Sequence, residues 1–201
     1  DTSASPRTLG DVEPMLCTQP AVLDGRTLCM VKKHYQYVQL ARGPLIDADG
    51  LSHFETPGIK DFTLFESATG AAVVPGRQGL RMIVVERQGR AFEIGITQDG
   101  QQTSPPVSAS IPGLRNCTSL AWFNEHLLAA DSGTIIAFQP HGDHDWKEVS
   151  RLDGFGGEVF IHSDGKRLAV SATALGVVHL YDTLTTRMAS YTGLKTPGLV
   201  A

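Results

Sequence analysis

The densest group of residues able to bind a metal or move a proton is Pro-His-Gly-Asp-His-Asp-Trp at 140–146, where His141, Asp143, His144 and Asp145 offer imidazole and carboxylate donors. Such donors together suit zinc or another divalent ion. A second reading competes with the first. The run falls between two expected strands, where Gly and Asp are what a tight loop requires, and neighbouring loop residues rarely complete a coordination shell without a distant ligand. The loop reading is preferred, and no cofactor is expected. Asp61, Glu66, Asp131, Asp164 and Asp182 could supply carboxylates for hydrolysis, but nothing in their spacing brings two together. The chain shows no Ser-His-Asp elbow, no phosphate-binding Gly-rich loop and no Cys-x-x-Cys pair.

Other features point to bonds and surfaces rather than catalysis. Cys17 and Cys29 flank Pro-Ala-Val-Leu-Asp-Gly-Arg. In a hairpin centred near Leu23 they would face each other at a separation a disulfide accepts; the alternative is two small buried apolar residues. Asn116-Cys117-Thr118 fits the N-glycosylation acceptor pattern at the entrance to an expected strand. In Lys32–Val38 the aromatic rings of Tyr35 and Tyr37 alternate with polar residues beside Lys32 and Lys33. This is a candidate partner surface, with inter-sheet packing of both rings as the competing reading.

The elements that must carry these residues are short. Gly (21) and Pro (11) recur at brief intervals, separated by apolar, β-branched and aromatic runs, and no long window keeps helical apolar spacing. The fold is expected to be all-β. At 201 residues, 41% hydrophobic and 19% charged, the chain can bury a sizeable core. Its net charge of −4 and scattered basic residues exclude the footprint expected of a nucleic-acid binder. No apolar run approaches the roughly 20 residues a membrane helix needs. The start, Asp-Thr-Ser-Ala-Ser-Pro, fits a processed chain or a fragment, so the compartment stays open between a cytoplasmic or nuclear setting and a secreted or periplasmic one.

The turn-bounded runs fall into a four-strand unit repeated four times, at roughly 14–57, 61–112, 117–153 and 157–193, with a further start at 198–201 and an extension over 1–13. In the last unit the strands are read at Glu158–His162, Lys166–Ala172, Gly176–Asp182 and Arg187–Thr192. In the third they fall at Thr118–Phe123, Leu127–Asp131, Thr134–Gln139 and Lys147–Leu152. The second is read as Phe62–Glu66, Arg81–Glu86, Arg90–Thr97 and Val107–Ile111, stretched by a loop at Ser67–Gly79. The first has Met15–Gln19, Arg26–Val31, Tyr35–Ala41 and Ser52–Thr56. Units of about 40 to 45 residues with four strands predict β-propeller blades. The stretches beginning Pro112, Pro57, Asp153 and Thr192 share a Gly followed by an apolar residue and read as junctions between blades.

The segment His162–Thr183, with its Ser-Asp-Gly-Lys turn and its third strand ending Tyr181-Asp182, resembles the blades of WD-repeat propellers and of YVTN-type bacterial propellers. Asp131, in Ala130–Phe138, sits where WD blades often carry an aspartate. The resemblance spans roughly residues 60–201 and implies architecture, not catalytic residues. It implies a non-enzymatic scaffold that binds protein partners, its ring completed by further blades or another chain, with neither nucleic acid nor a membrane span. The alternative is a lactonase-like propeller hydrolase with a divalent metal on the central axis.

Overall fold

A computed structural model gives the fold, describing residues 27–32, 37–46, 52–55, 68–77, 79–86, 88–97 and 102–195, the first three ranges as backbone only. The described elements are strands, apart from one short 3-10 turn at Thr173–Leu175. A three-stranded sheet holds β1 (Thr27–Lys32), β2 (Tyr37–Ile46) and β3 (Ser52–Glu55). Three four-stranded antiparallel sheets follow. The second sheet holds β4 (Ala68–Gly76), β5 (Gly79–Glu86), β6 (Ala91–Ile96) and β7 (Val107–Ala109). The third holds β8 (Cys117–Phe123), β9 (His126–Asp131), β10 (Thr134–Pro140) and β11 (Trp146–Leu152), and the fourth β12 (Val159–Ser163), β13 (Leu168–Ala172), β14 (Val177–Thr183) and β15 (Thr186–Tyr191). In each four-stranded sheet the strands lie in chain order, and the leading strands β4, β8 and β12 run beside one another.

Strands in the middle of this stack carry unbroken apolar runs because both of their faces are covered. In β9, Leu127 and Ala129 pack toward the second sheet while Leu128 and Ala130 pack toward the fourth. The same division holds in β10, where Ile136 and Phe138 face one way and Ile135 and Ala137 the other. All eight of these side chains are essentially inaccessible to water. Burying a Leu, Ile or Phe fully contributes roughly 1.5–3 kcal/mol of transfer free energy, so stacking is what stabilises each sheet. Trailing strands β11 and β15 are mostly exposed and correspondingly polar.

The turns follow from local chemistry. Asn124 and Glu125, at φ 46° and 62°, form the two-residue link between β8 and β9, and Ser132 and Gly133, at 49° and 82°, repeat the geometry between β9 and β10. Both links match the right-handed twist of their strands.

The second sheet departs from the sequence expectation. The sequence predicts a loop at Ser67–Gly79 after a strand at Phe62–Glu66; instead Ala68–Gly76 is itself the leading strand β4, while 62–66 lies outside the described residues. The small residues that suggest a loop are there because β4 lies close against β8. A Cβ on Gly70 would come within 3.0 Å of Leu120 Cγ and 3.1 Å of its backbone nitrogen. Pro75 is tolerated because it stands near the strand's exposed end.

Candidate functional site

His141, Asp143, His144 and Asp145 lie in the loop joining β10 to β11, and this loop fastens the third sheet to the second. Glu93, on β6 and only 3% exposed, is the centre of the joint. Its carboxylate accepts hydrogen bonds from Arg81 Nη1 at 3.1 and 2.9 Å and from Trp146 Nε1 at 3.0 Å; His144 Nδ1 lies 2.9 Å from Oε2. Arg81 Nη1 also donates to the Asp143 carbonyl at 3.1 Å, and its guanidinium lies 5.7 Å from the Trp146 ring centre. Backbone bonds complete the joint: Ser110 N donates to His144 O, and Trp146 N to Ser110 O, both at 2.9 Å.

The Asp143 side chain makes an exposed ion pair with Arg77 at 2.9 Å, and His141 and Asp145 are exposed. Among the described residues, no three His, Cys, Asp or Glu side chains come together as a metal site would require. Of the four candidates, His144 is the one whose side chain reaches the buried Glu93 carboxylate, which nothing in a lone Glu within an apolar strand announces. A Trp beside two histidines, ending a loop, is the one sequence signal that a polar partner is nearby.

The other carboxylates are likewise engaged locally. Asp131, 5% exposed, accepts the backbone amides of Arg115 at 2.6 Å and Asn116 at 3.0 Å, so it fixes the junction entering β8. Asp164 accepts the amides of Lys166 and Arg167, closing the β12–β13 turn, and these bonds hold its carboxyl below the ordinary range against the opposing effect of burial. Asp182 is exposed, and Asp61 and Glu66 lie outside the described residues. Asn116 is exposed, while the Thr118 hydroxyl is turned inward to the carbonyls of Ala130 and Val159. Cys117 is free and buried, and burial together with Asp131 pushes its thiol far above the ordinary range. Cys17, Lys33 and Tyr35 lie outside the described residues; Cys29 stands opposite Leu40, and Lys32 opposite Tyr37, in the β1–β2 register.

A groove opens where the outer parts of the third and fourth sheets meet. It encloses about 410 Å³, with Ile135, Ala137 and Leu152 on one wall and Tyr181, Leu184 and Arg187 on the other. Arg151, Ser150 and Thr185 add polar groups. Arg151 is held by Glu148 through two parallel bonds of 2.9 Å, which hold that carboxyl below its ordinary range. Arg187 is exposed, and no carboxylate pairs with it among the described residues. Its charge is felt by neighbours. His179, whose Nδ1 lies 2.8 Å from Ser190 Oγ, is kept below the ordinary imidazole range chiefly by burial and secondly by Arg187. Burial raises the Tyr181 phenol, and Arg187 opposes that rise. The groove thus combines an apolar floor, hydroxyls and a guanidinium that no carboxylate meets among the described residues.

The two sheets bordering the groove are joined at their leading strands, where Ser119 Oγ accepts the Ile161 amide at 2.9 Å, and between the β8–β9 turn and β14, where Asn124 Nδ2 donates to Asp182 O at 3.3 Å. No helix of the described residues is long and apolar enough to cross a membrane.

No family model matches this chain, and no curated protein matches it. Solved structures resemble it in fold. A chain in the crystal structure of a nidogen/laminin complex superposes with a TM-score of 0.54 at 18% identity, covering 87% of this chain and 62% of that one. A protein of unknown function from Bacteroides caccae gives 0.48 at 8% identity, over 90% and 62% of the two chains. Virginiamycin B lyase from Staphylococcus aureus gives 0.45 at 14%, over 83% and 52%. This chain thus spans less than two thirds of each of these structures. With three successive four-stranded antiparallel sheets stacked through their faces, it has an all-β fold of propeller-type repeats, unclosed among the described residues.

Proposed function

We propose that the chain is a non-enzymatic propeller segment that binds other proteins, in the manner of WD-repeat and YVTN-type propellers, as part of a larger propeller or multi-subunit complex. The observation that carries this reading is the groove between the third and fourth sheets, with an apolar floor and an unpaired arginine at its side. Repeat stacking gives such a groove a firm base, because the sheets on either side are tied through Ser119 and Asn124. The nidogen/laminin structure is a complex between proteins, which agrees with the reading without identifying a partner. Units near 14–57, 61–112, 117–153 and 157–193 would act as successive blades, with further blades or another chain completing the ring.

Photo-crosslinking tests the proposal. A benzoylphenylalanine replacing Thr185, in the groove, should give a discrete adduct with a protein partner that Arg187→Glu removes. The same residue replacing Gln88, in the turn between β5 and β6, should give none. Equal adducts from both positions, or none from either, would overturn the reading.

A further inference from the structure

We propose that the groove binds an extended peptide in which acidic side chains alternate with apolar ones, a partner chemistry that rests on the scaffold reading above. The walls dictate both halves of that pattern. On one wall Leu152, part-exposed over the buried Ile135 and Ala137, offers apolar surface, and an extended strand presents every second side chain to one face. The alternate residues of such a strand point to the opposite wall, where Arg187 stands across the β14–β15 register from Tyr181.

The two arginines differ in what they can give. Arg151 already holds Glu148 in a bidentate pair and lies within the field of Asp153 and Asp131, so little of its charge is left over. Arg187 faces no carboxylate among the described residues, yet its field reaches Tyr181 and His179. In a chain of net charge −4, a free guanidinium beside an apolar groove selects for an incoming carboxylate. The hydroxyls of Ser150 and Thr185 can meet the peptide's backbone groups, which an extended segment leaves unpaired on both edges. One such charge and a groove of this size suit a short segment with an affinity in the micromolar to millimolar range, typical of small interfaces.

The test uses the whole chain and three fluorescein-labelled octapeptides that alternate leucine with glutamate, glutamine or lysine, together with a labelled oligothymidylate. Anisotropy should show the leucine–glutamate peptide binding at least about tenfold more tightly than the glutamine peptide, and the lysine peptide and oligothymidylate not at all. Its affinity should fall as salt rises. Arg187→Glu should weaken it about tenfold or more and Arg187→Lys less, with unfolding midpoints unchanged because Arg187 is exposed. Leu184→Asn should weaken the glutamate and glutamine peptides together. Equal binding of the three peptides, tight binding of oligothymidylate, no binding at millimolar concentration, or an unaffected Arg187→Glu variant would each overturn the proposal. If the Thr185 adduct with a native partner persists while the leucine–glutamate peptide fails, the acidic-peptide inference falls and the scaffold reading stands. If both fail, both fall.

Discussion

Removing the carboxylate of Glu93 should loosen the joint between the second and third sheets, and its effect can be worked out from the groups left behind. Glu93→Ala strands the Arg81 guanidinium, 21% exposed, and the Trp146 indole N–H in a side chain 3% exposed. Breaking a buried pair by removing one partner costs about 3–5 kcal/mol. Because Arg81 keeps some access to water and His144 is half-exposed, about 2–4 kcal/mol is the fitting range here. Glu93→Gln preserves shape and one acceptor and should cost less, about 1–2 kcal/mol, through the weaker neutral bonds. Urea unfolding followed by Trp fluorescence reads the change directly, since Trp146 lies in the joint. In a double-mutant cycle with Arg81→Met, the coupling should be about 1–2 kcal/mol. A Glu93→Ala variant within 0.5 kcal/mol of the parent, by that roughly one-half criterion for surface changes, would refute the account of the joint.

Asp143→Ala, which breaks only an exposed pair with Arg77, should change stability by less than about 1 kcal/mol in the same assay. Ser119→Ala removes the hydroxyl that accepts the Ile161 amide and should cost about 0.5–1.5 kcal/mol in urea unfolding. Gly89→Ala should be more damaging than an ordinary turn substitution, because Gly89 sits at φ +83° and a Cβ there would meet the Leu114 carbonyl oxygen at 2.2 Å; a lower melting temperature would show it. His179 is held neutral in the fold below its ordinary value of 6.5, chiefly by burial and then by Arg187, so below that pH the unfolded chain binds the extra proton. Stability should therefore fall as pH drops through 6.5, by at most about 1.4 kcal/mol per pH unit for this group, and His179→Gln should flatten the slope.

The third and fourth sheets are legible in the sequence because their turns carry Gly, Asp and Asn and their inner strands are rich in apolar residues. Lys166–Ala172 becomes β13, Leu168–Ala172, and Leu127–Asp131 becomes β9, His126–Asp131. The leading strand β4 is not legible. Its Gly70 and neighbouring alanines read as loop chemistry when taken alone, and only the neighbouring β8 shows that close approach demands small residues. The role of His144 is hidden for a related reason. Its partner Glu93 comes from 51 residues away, on another sheet. The groove leaves no local trace, since Arg151 and Arg187 belong to different sheets and neither lies in a motif.

Nuclear magnetic resonance of the isotopically labelled chain, titrated with the leucine–glutamate peptide, tests the central claim most directly, because it locates binding residue by residue. Shift changes should concentrate at Leu152, Leu184, Thr185 and Arg187, and Arg187→Glu should weaken the binding they report about tenfold or more. Changes centred on β4 to β7, or a spectrum the peptide leaves untouched, would contradict that claim.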